Sequence, residues 1–546
     1  MLLHGTQSLT GLHDSPPTSK FGWRAARPLQ VVGRPRTALT TSKAATLPST
    51  QTLQDFVATH NHTSVTERDE VRTEAEKDTY DWAKQWYPLA FVEDLDPKIP
   101  RPMELLGERL VLWRDADQQW RCFQDKCPHR LAPLSEGRIE PSDGTLMCSY
   151  HGWRFDGEGA CTDIPQSLDA KANAAACSNP RSCAISHPTQ VLQGKVWVFG
   201  EGGPRAFIDS AAVQPALLTE LESTYPPRER DGGEGYFFAG GHYARDLPYA
   251  WTTLMENLTD PSHVNFSHHN VVGDRTVDQT MKIVSSEPPK GAPSPKDALS
   301  MAVTSFDDKA RQFQTFKLEF IAPCLIKWGI PPWGVGTKHG YMPMYMIPTG
   351  PGRSRILWCM LMPNSSIPAP VKWMQALTPK WLQHLGLTPQ VLDGDTGLLH
   401  GQEVAVAKEE EKDLNKLYYM PAQADRIVAA YRKWLAGRGG GGPLPMPEGS
   451  EVQPQPQLLD RFSQHTKNCP SCSRALRVLT AVRVLVAALG AISALGLAST
   501  LAAASQPLLG LPAQFAAGGV VMAAAWLWLS STIQKFYYVP YHHAHR

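Results

Sequence analysis

Two short loops within KCPHRLAPLSEGRIEPSDGTLMCSYHGWRF, residues 126–155, each offer one thiolate and one imidazole: Cys127-Pro128-His129 and Cys148-Ser149-Tyr150-His151. The rest of the chain has to be organised around their meeting. A [2Fe–2S] cluster in which one iron takes two cysteines and the other two neutral histidines needs this division of ligands. A structural zinc site of two Cys and two His is the competing account. Zinc fingers, however, usually place like ligands together, as C-x2-C and H-x3-H, whereas both pairs here are mixed. Pro128 stiffens the first loop and Gly152 lets the second turn closely. The mixed pairing favours iron and sulfur.

A chain of 546 residues is too long for one compact core and implies two or three domains. Its 53 Lys and Arg nearly balance 52 Asp and Glu, and no basic run is interleaved with aromatics, which argues against a nucleic-acid partner. Ten cysteines, four of them in metal or redox spacings, fit a reducing compartment better than a disulfide framework. Residues 1–55 are rich in Ser and Thr and carry Lys20, Arg24, Arg27, Arg34, Arg36 and Lys43, with Asp14 as the single acidic residue before Asp55. That composition reads as an organelle transit peptide, and the lack of a long apolar core argues against a secretory signal. Residues 56–79 read as an N-terminal extension.

Short apolar runs separated by turn residues predict a small antiparallel β-domain over 80–205, with a hairpin of Arg109–Asp115 and Gln119–Gln124 feeding the first ligand loop. Cys161, Cys177 and Cys183 lack paired histidines and read as packing cysteines. A second domain is expected over 235–436. Its informative stretch, WTTLMENLTDPSHVNFSHHNVVG, sets Glu256, Asn257, Asp260, His263 and His268 close together. Two histidines and a carboxylate are the usual ligands of a non-haem Fe(II) oxygenase site with open positions. Five residues turn an ideal helix by about 140°, so joint ligation by His263 and His268 requires a π-bulge or a break. Asp260 and His263 can share a face, which lets the carboxylate orient the imidazole. His269 reads as an incidental surface histidine.

The C-x-H and C-x2-H loops followed by D-x2-H-x4-H resemble the signatures of the Rieske non-haem iron oxygenases. Within that superfamily, CPHRLAPLSEGRI, MENLTDPSHVNFSHH, LDGDTGLLHGQE, AQADRIVAAYRKWL and NCPSC resemble the chloroplast branch that contains pheophorbide a oxygenase. The resemblance implies an α+β chain: a Rieske β-domain, then a helix-grip-like α+β catalytic domain. It assigns Cys127, His129, Cys148 and His151 to the cluster, and His263, His268 and Asp395 to a mononuclear Fe(II), with Asp393 as rival to Asp395. It further implies that Asp260 bridges the cluster of one subunit and the iron of the next in a ring-shaped homotrimer. The acidic run Glu409–Glu411 reads as a solvated helix face.

The Gly-, Pro- and Gln-rich stretch 437–467 reads as a flexible tether, so that a chain ended after Gln457 would keep both iron sites. In 468–475, Cys469 and Cys472 form a C-x2-C that fits a thioredoxin-reduced switch, half of a metal site, or idle thiols. The lack of a second C-x2-C counts against metal, and recurrence of the motif in the chloroplast branch favours redox regulation. Residues 484–504 and 508–533 are free of charge and each long enough to span a membrane, with a buried hairpin as the competing account. Arg474, Arg477, Arg483, Lys535, His542, His543 and Arg546 flank them and place both ends on the catalytic side.

The expectation is therefore a membrane-anchored chloroplast monooxygenase of the envelope or thylakoid, facing the stroma and fed by reduced ferredoxin. It would use dioxygen on a chlorophyll-derived tetrapyrrole, by resemblance pheophorbide a. Sister activities on a phyllobilin, protochlorophyllide or chlorophyllide, and a redox sensor of the import machinery, stay open beside it. The apolar stretches 327–333 and 341–347 read either as pocket walls or as plain core.

Overall fold

The computed structural model describes residues 79–546 apart from 222–235, 240, 290–291, 308–311, 332–338, 364–366, 412, 448–450 and 504–509. The expected transit peptide, the extension up to residue 78, Trp333 and the Gln506-Pro507 turn lie outside the described residues.

Three small antiparallel sheets build the first domain. Trp86–Phe91, Lys195–Phe199 and Thr189–Leu192 make one, and Arg101–Leu105, Glu108–Arg114, Trp120–Gln124 and Ser186–His187 make the second. The hairpin expected from alternation pairs Arg114 with Trp120 and Leu110 with Gln124, and so delivers the chain to Cys127. Four two- or three-residue strands, Arg138–Ile139, Leu146–Met147, Arg154–Phe155 and Cys161–Asp163, form the third sheet, between and beside the ligand loops. Cys161 lies in its core with Sγ 3.3 Å from that of Cys177, as packing cysteines would.

A nine-stranded antiparallel sheet from Tyr236 to Pro363 dominates the second domain. Helix α1 (Trp251–Thr259) packs on one face, where Trp251, Leu254 and Met255 meet Val303, Leu318, Phe320, Ile326, Met344 and Met346. Helix α2 (Lys380–His384) precedes α3 (Leu387–Lys408), which adds Leu392 and Leu399 to that core, and Arg426–Ala436 adds Tyr431 and Trp434. The sheet and its helices form the expected α+β layer. Its other side is continuous with the β-domain: Tyr87, Phe91, Leu110, Leu112 and Val196–Phe199 share one core with Leu325, Tyr345, Ile347 and Leu357. All five residues of Lys195–Phe199 are buried, and Trp197 meets Tyr345 edge to face at 5.4 Å.

The stretch 437–467, in its described residues, is not the tether its composition suggests. Arg438 O accepts from Tyr80 N at 2.7 Å, Gly439 O accepts from Trp82 Nε1, and short helices at Gln455–Leu458 and Arg461–Gln464 follow. Leu458, Leu459, Arg461 and His465 are buried. Its glycines serve tight turns, with Gly440, Gly441 and Gly442 all at positive φ, rather than mobility.

Helices α4 (Pro470–Ala503) and α5 (Gly510–Gln534) are both long and apolar enough to cross a membrane. They run antiparallel, with Gly490 facing Met522 and Gly496 facing Phe515. Val484, Ile492, Leu495, Val520 and Leu527 are exposed, which rules out a hairpin buried in protein for the described residues. At the base the hairpin packs into the protein: Cys472, Ala475 and Leu476 meet Ile533 and Phe536 beside α2. The first helix begins at Pro470, well before the charge-free run, and carries the C-x2-C into the core.

Candidate metal centres

The two ligand loops have the same backbone design. Cys127 N donates to Ala132 O and Cys148 N to Trp153 O, while Leu131 N and Gly152 N donate back to Cys127 O and Cys148 O. The residue four after each cysteine is left-handed: Leu131 at φ 60° and Gly152 at φ 75°. Each turn leaves amides pointing at its sulfur, those of His129 and Arg130 at Cys127 and those of Tyr150 and His151 at Cys148. Amides so placed stabilise thiolate and tune the potential of a bound cluster. The Cys148 thiol is pulled down to about 6, first by the Cys127 side chain and then by these amides.

Sequence pairs unlike ligands, but folding pairs like ones. Cys127 and Cys148 hydrogen-bond to each other, and the His129 and His151 rings lie 4.6 Å apart, His129 stacked on Trp153. Two described groups of metal-ligating side chains have all donor atoms within 4.8 Å, and this quartet is not one of them. A single tetrahedral ion needs that closeness, whereas a cluster with two irons does not.

The first of those compact groups is His263, His268 and Asp395. Helix α1 stops at Thr259, and Asp260 turns extended at φ −100°, ψ 104°. A single turn, Val264–Ser267, separates the histidines; His268 leaves it at φ −113°, ψ 28°. The segment between them is an ordinary α-turn, with Ser267 N donating to His263 O and His268 N to Val264 O, so the chain departs from helix geometry at Asp260 and at His268 rather than between the two. Asp395 Oδ1 on α3 lies 3.2 Å from His268 Nε2 and 3.8 Å from His263 Nε2. Asp395 Oδ1, the atom that faces both Nε2 nitrogens, is buried and lacks a hydrogen-bond partner among the described residues, which suits a cation there.

Asp260 acts on His263 differently from expectation. Its main-chain carbonyl accepts from His263 Nδ1 at 2.6 Å, fixing the tautomer, while carboxylate Oδ2 is 3.9 Å away. The other oxygen accepts from Ser262 N and Oγ at 2.8 and 2.6 Å. The end of α1 frees the carbonyl for this role. Glu256 is bound to Arg432 at 2.7 Å, and His269 lies outside the group, its Nδ1 accepting from Arg275 N. Asp393, two residues from Asp395 and so on the far side of α3, is bound by Arg245 Nη1 at 2.7 Å and by Arg461 Nε at 3.0 Å. Glu409–Glu411 are exposed, just beyond the end of α3 rather than on it.

Several neighbours escape sequence reasoning. Tyr541, after the hairpin, donates to Ser267 O at 2.9 Å, and the half-buried His543, its Nε2 out of solvent, accompanies it. Burial pushes the His543 imidazole below its usual pKa. Nothing in YYVPYHHAHR distinguishes these residues from a basic membrane flank. Arg245 and Arg461 likewise sit in unremarkable polar sequence.

Residues 85–173 match the Rieske [2Fe-2S] domain family, and residues 320–413 match the pheophorbide a oxygenase family. Pheophorbide a oxygenase of Arabidopsis thaliana, a chloroplastic protein, is 39% identical over 424 residues, 74% of each chain. The chain belongs to the pheophorbide a oxygenase-like family of chloroplast Rieske oxygenases. The rice (Oryza sativa subsp. japonica) pheophorbide a oxygenase is 35% identical over 74% of this chain and 75% of its own. Protochlorophyllide-dependent translocon component 52 of Arabidopsis thaliana is 30% identical over 86% of each. As a Rieske oxygenase, the chain uses a [2Fe–2S] Rieske cluster and a mononuclear non-haem iron. The Rieske match spans both loops, and the second match spans the part of α3 that carries Asp395.

Proposed function

We propose that this Rieske oxygenase is a ferredoxin-dependent monooxygenase that opens the macrocycle of pheophorbide a. Cys127 and Cys148 hold one iron of the cluster, and His129 and His151 hold the other. His263, His268 and Asp395 would hold a mononuclear Fe(II), and that metal would supply the activation of dioxygen beside the substrate. The observation that carries this reading is the convergence of His263, His268 and Asp395 on one point in a chain 39% identical to a pheophorbide a oxygenase. His129 is exposed, which gives an electron donor such as reduced ferredoxin access to the histidine side of the cluster. Asp260 lies one hydrogen bond from His263, where it would link that ligand to an electron route from the cluster of a neighbouring subunit in a trimer. The exposed apolar hairpin anchors the protein in a chloroplast membrane, its basic ends on the stromal side with the catalytic domain.

Half-buried Phe316, Trp328 and Met342 line the sheet face under α1, where Trp328 Nε1 donates to Leu258 O at 2.8 Å. An apolar, aromatic wall at the end of α1 suits a flat tetrapyrrole. Lys327, on the opposite face of its strand, is instead a core residue salt-bridged to Glu220 and Glu319. The deciding experiment gives the detergent-solubilised full chain reduced ferredoxin, dioxygen and, in parallel, pheophorbide a, protochlorophyllide, chlorophyllide a and a phyllobilin. Ring-opened product from pheophorbide a alone is expected. Turnover of another pigment with none of pheophorbide a would move the chain to that sister activity.

A further inference from the structure

The second compact group is unrelated to either iron site. His384 at the end of α2, His465, Cys469 and Cys472 place all four donor atoms within 4.8 Å of one another, and all four residues are buried. His384 Nδ1 lies 3.1 Å from His465 Nε2, 3.4 Å from Cys472 Sγ and 3.6 Å from Cys469 Sγ; His465 Nε2 lies 3.4 Å from Cys472 Sγ. A tetrahedral ion with ordinary Zn–N and Zn–S bonds holds its ligand atoms about 3.3 to 3.8 Å apart. We propose that these four side chains bind a structural Zn2+ that fastens the base of the apolar hairpin to the catalytic domain.

Proton accounting supports the cation. The far nitrogen of each imidazole meets a main-chain carbonyl: His384 Nε2 at His242 O, 2.8 Å, and His465 Nδ1 at Ala244 O, 2.7 Å. A carbonyl only accepts, so both far nitrogens carry the protons and two lone pairs face each other across 3.1 Å. That contact is repulsive without a cation between the rings. The carbonyls meanwhile fix each tautomer and orientation as partners of metal-bound histidines do. Tyr243 holds both rings, stacked on His465 at 4.3 Å and edge-on to His384 at 5.3 Å.

Charge also balances. Binding Zn2+ displaces one proton from each thiol, and two thiolates with two neutral imidazoles give a neutral buried unit. Asp94 Oδ1, which accepts from Cys469 Sγ at 3.9 Å, is paired with Lys380 at 3.0 Å, so its charge is already met outside the four ligands. Three ligands come from one short segment, H-x3-C-x2-C, at the start of α4, and the fourth from α2, distant in sequence. The ion therefore ties the first turn of the hairpin to the domain that carries Asp393 and Asp395. Gln464, beside His465, accepts from Arg245 at 2.8 Å, and Arg245 in turn holds Asp393. With Cys469 3% and Cys472 0% exposed, a protein reductase cannot reach the pair in this arrangement.

The test is metal analysis of the full chain, purified in detergent under reducing conditions without added metal. About one zinc per chain is expected beyond the irons of the two oxygenase centres, released when a mercurial titrates the thiols. His384→Gln and the double change Cys469→Ser with Cys472→Ser should lose that zinc while the Rieske electron paramagnetic resonance signal persists. Should those variants fail to fold, the parent chain grown with cobalt decides: a tetrahedral site bearing thiolates gives thiolate-to-cobalt charge transfer and intense ligand-field bands. Iron alone in the parent, with Cys469 and Cys472 alkylating freely or recovered as a disulfide, would overturn the proposal in favour of a plain thiol pair. A further iron in place of zinc would overturn the choice of metal.

Discussion

Asp393 and Asp395 show how two identical side chains on one helix acquire opposite work. Asp393 neutralises two buried guanidinium groups, those of Arg245 and Arg461, and Asp395 faces two imidazoles. Removing Asp393 leaves buried positive charge without a partner, so Asp393→Ala should cost about 3 to 5 kcal/mol and lower the thermal midpoint, read by calorimetry. Asp395→Ala should instead fold normally and lose mononuclear iron, measured by metal content beside an intact Rieske signal. Asp260 allows a subtler separation, because its carbonyl holds His263 whatever the side chain is. Asp260→Asn should keep mononuclear iron at the parent level and leave cluster reduction by ferredoxin unchanged. Single-turnover product formation should fall about 10- to 100-fold if the carboxylate belongs to the electron route. Parent-rate product would remove the proposed bridge and leave the triad standing.

The helix that carries both carboxylates also meets the C-terminal tail, and Gly394 between them makes the meeting close. A Cβ there would lie 2.8 Å from Tyr541 Oη and 3.0 Å from His268 Nδ1. Alanine in a helix interior is ordinarily favoured over glycine by about 0.5 to 1 kcal/mol. At this position it must displace either the tail or a ligand ring. Gly394→Ala should therefore weaken iron binding by about tenfold or more, followed by iron retention during chelator dialysis, with the Rieske signal unaffected. Equal retention in variant and parent would mean that the tail yields without touching His268.

Across the described residues, the β-domain, the catalytic sheet and the foot of the hairpin are joined by continuous packing, and this changes where the molecule can be cut. Ending it after Gln457 removes Arg461, Gln464, His465, Cys469, Cys472 and the tail residues beside the iron site, and exposes the buried Arg245–Asp393 pair. That truncation should give aggregated or iron-poor protein. Excising 484–527 and joining Arg483 to Trp528 through a short Gly-rich turn spares every packed residue of the base. It should yield protein that stays in solution without detergent and holds both iron centres, checked by ultracentrifugation and metal content. Sedimentation of the excised chain with membranes would mean that another surface anchors it.

The ligand motifs were legible from spacing because metal chemistry demands particular side chains at short, fixed intervals. C-x-H with C-x2-H named the cluster type, whereas the bulge or break expected between His263 and His268 is an ordinary α-turn, Val264–Ser267, that ends at His268. Apolar alternation likewise exposed the hairpin into Cys127, and the two charge-free runs exposed α4 and α5. Contacts between distant segments left no such trace. The described part of 437–467 looks like a tether in sequence because glycine-rich turns and flexible glycine linkers share one composition, and only buried neighbours tell them apart. His384 and His465 carry no signal in the sequence for the same reason: a donor cluster assembled from segments far apart in sequence has no spacing to read, and folding alone brings its atoms together.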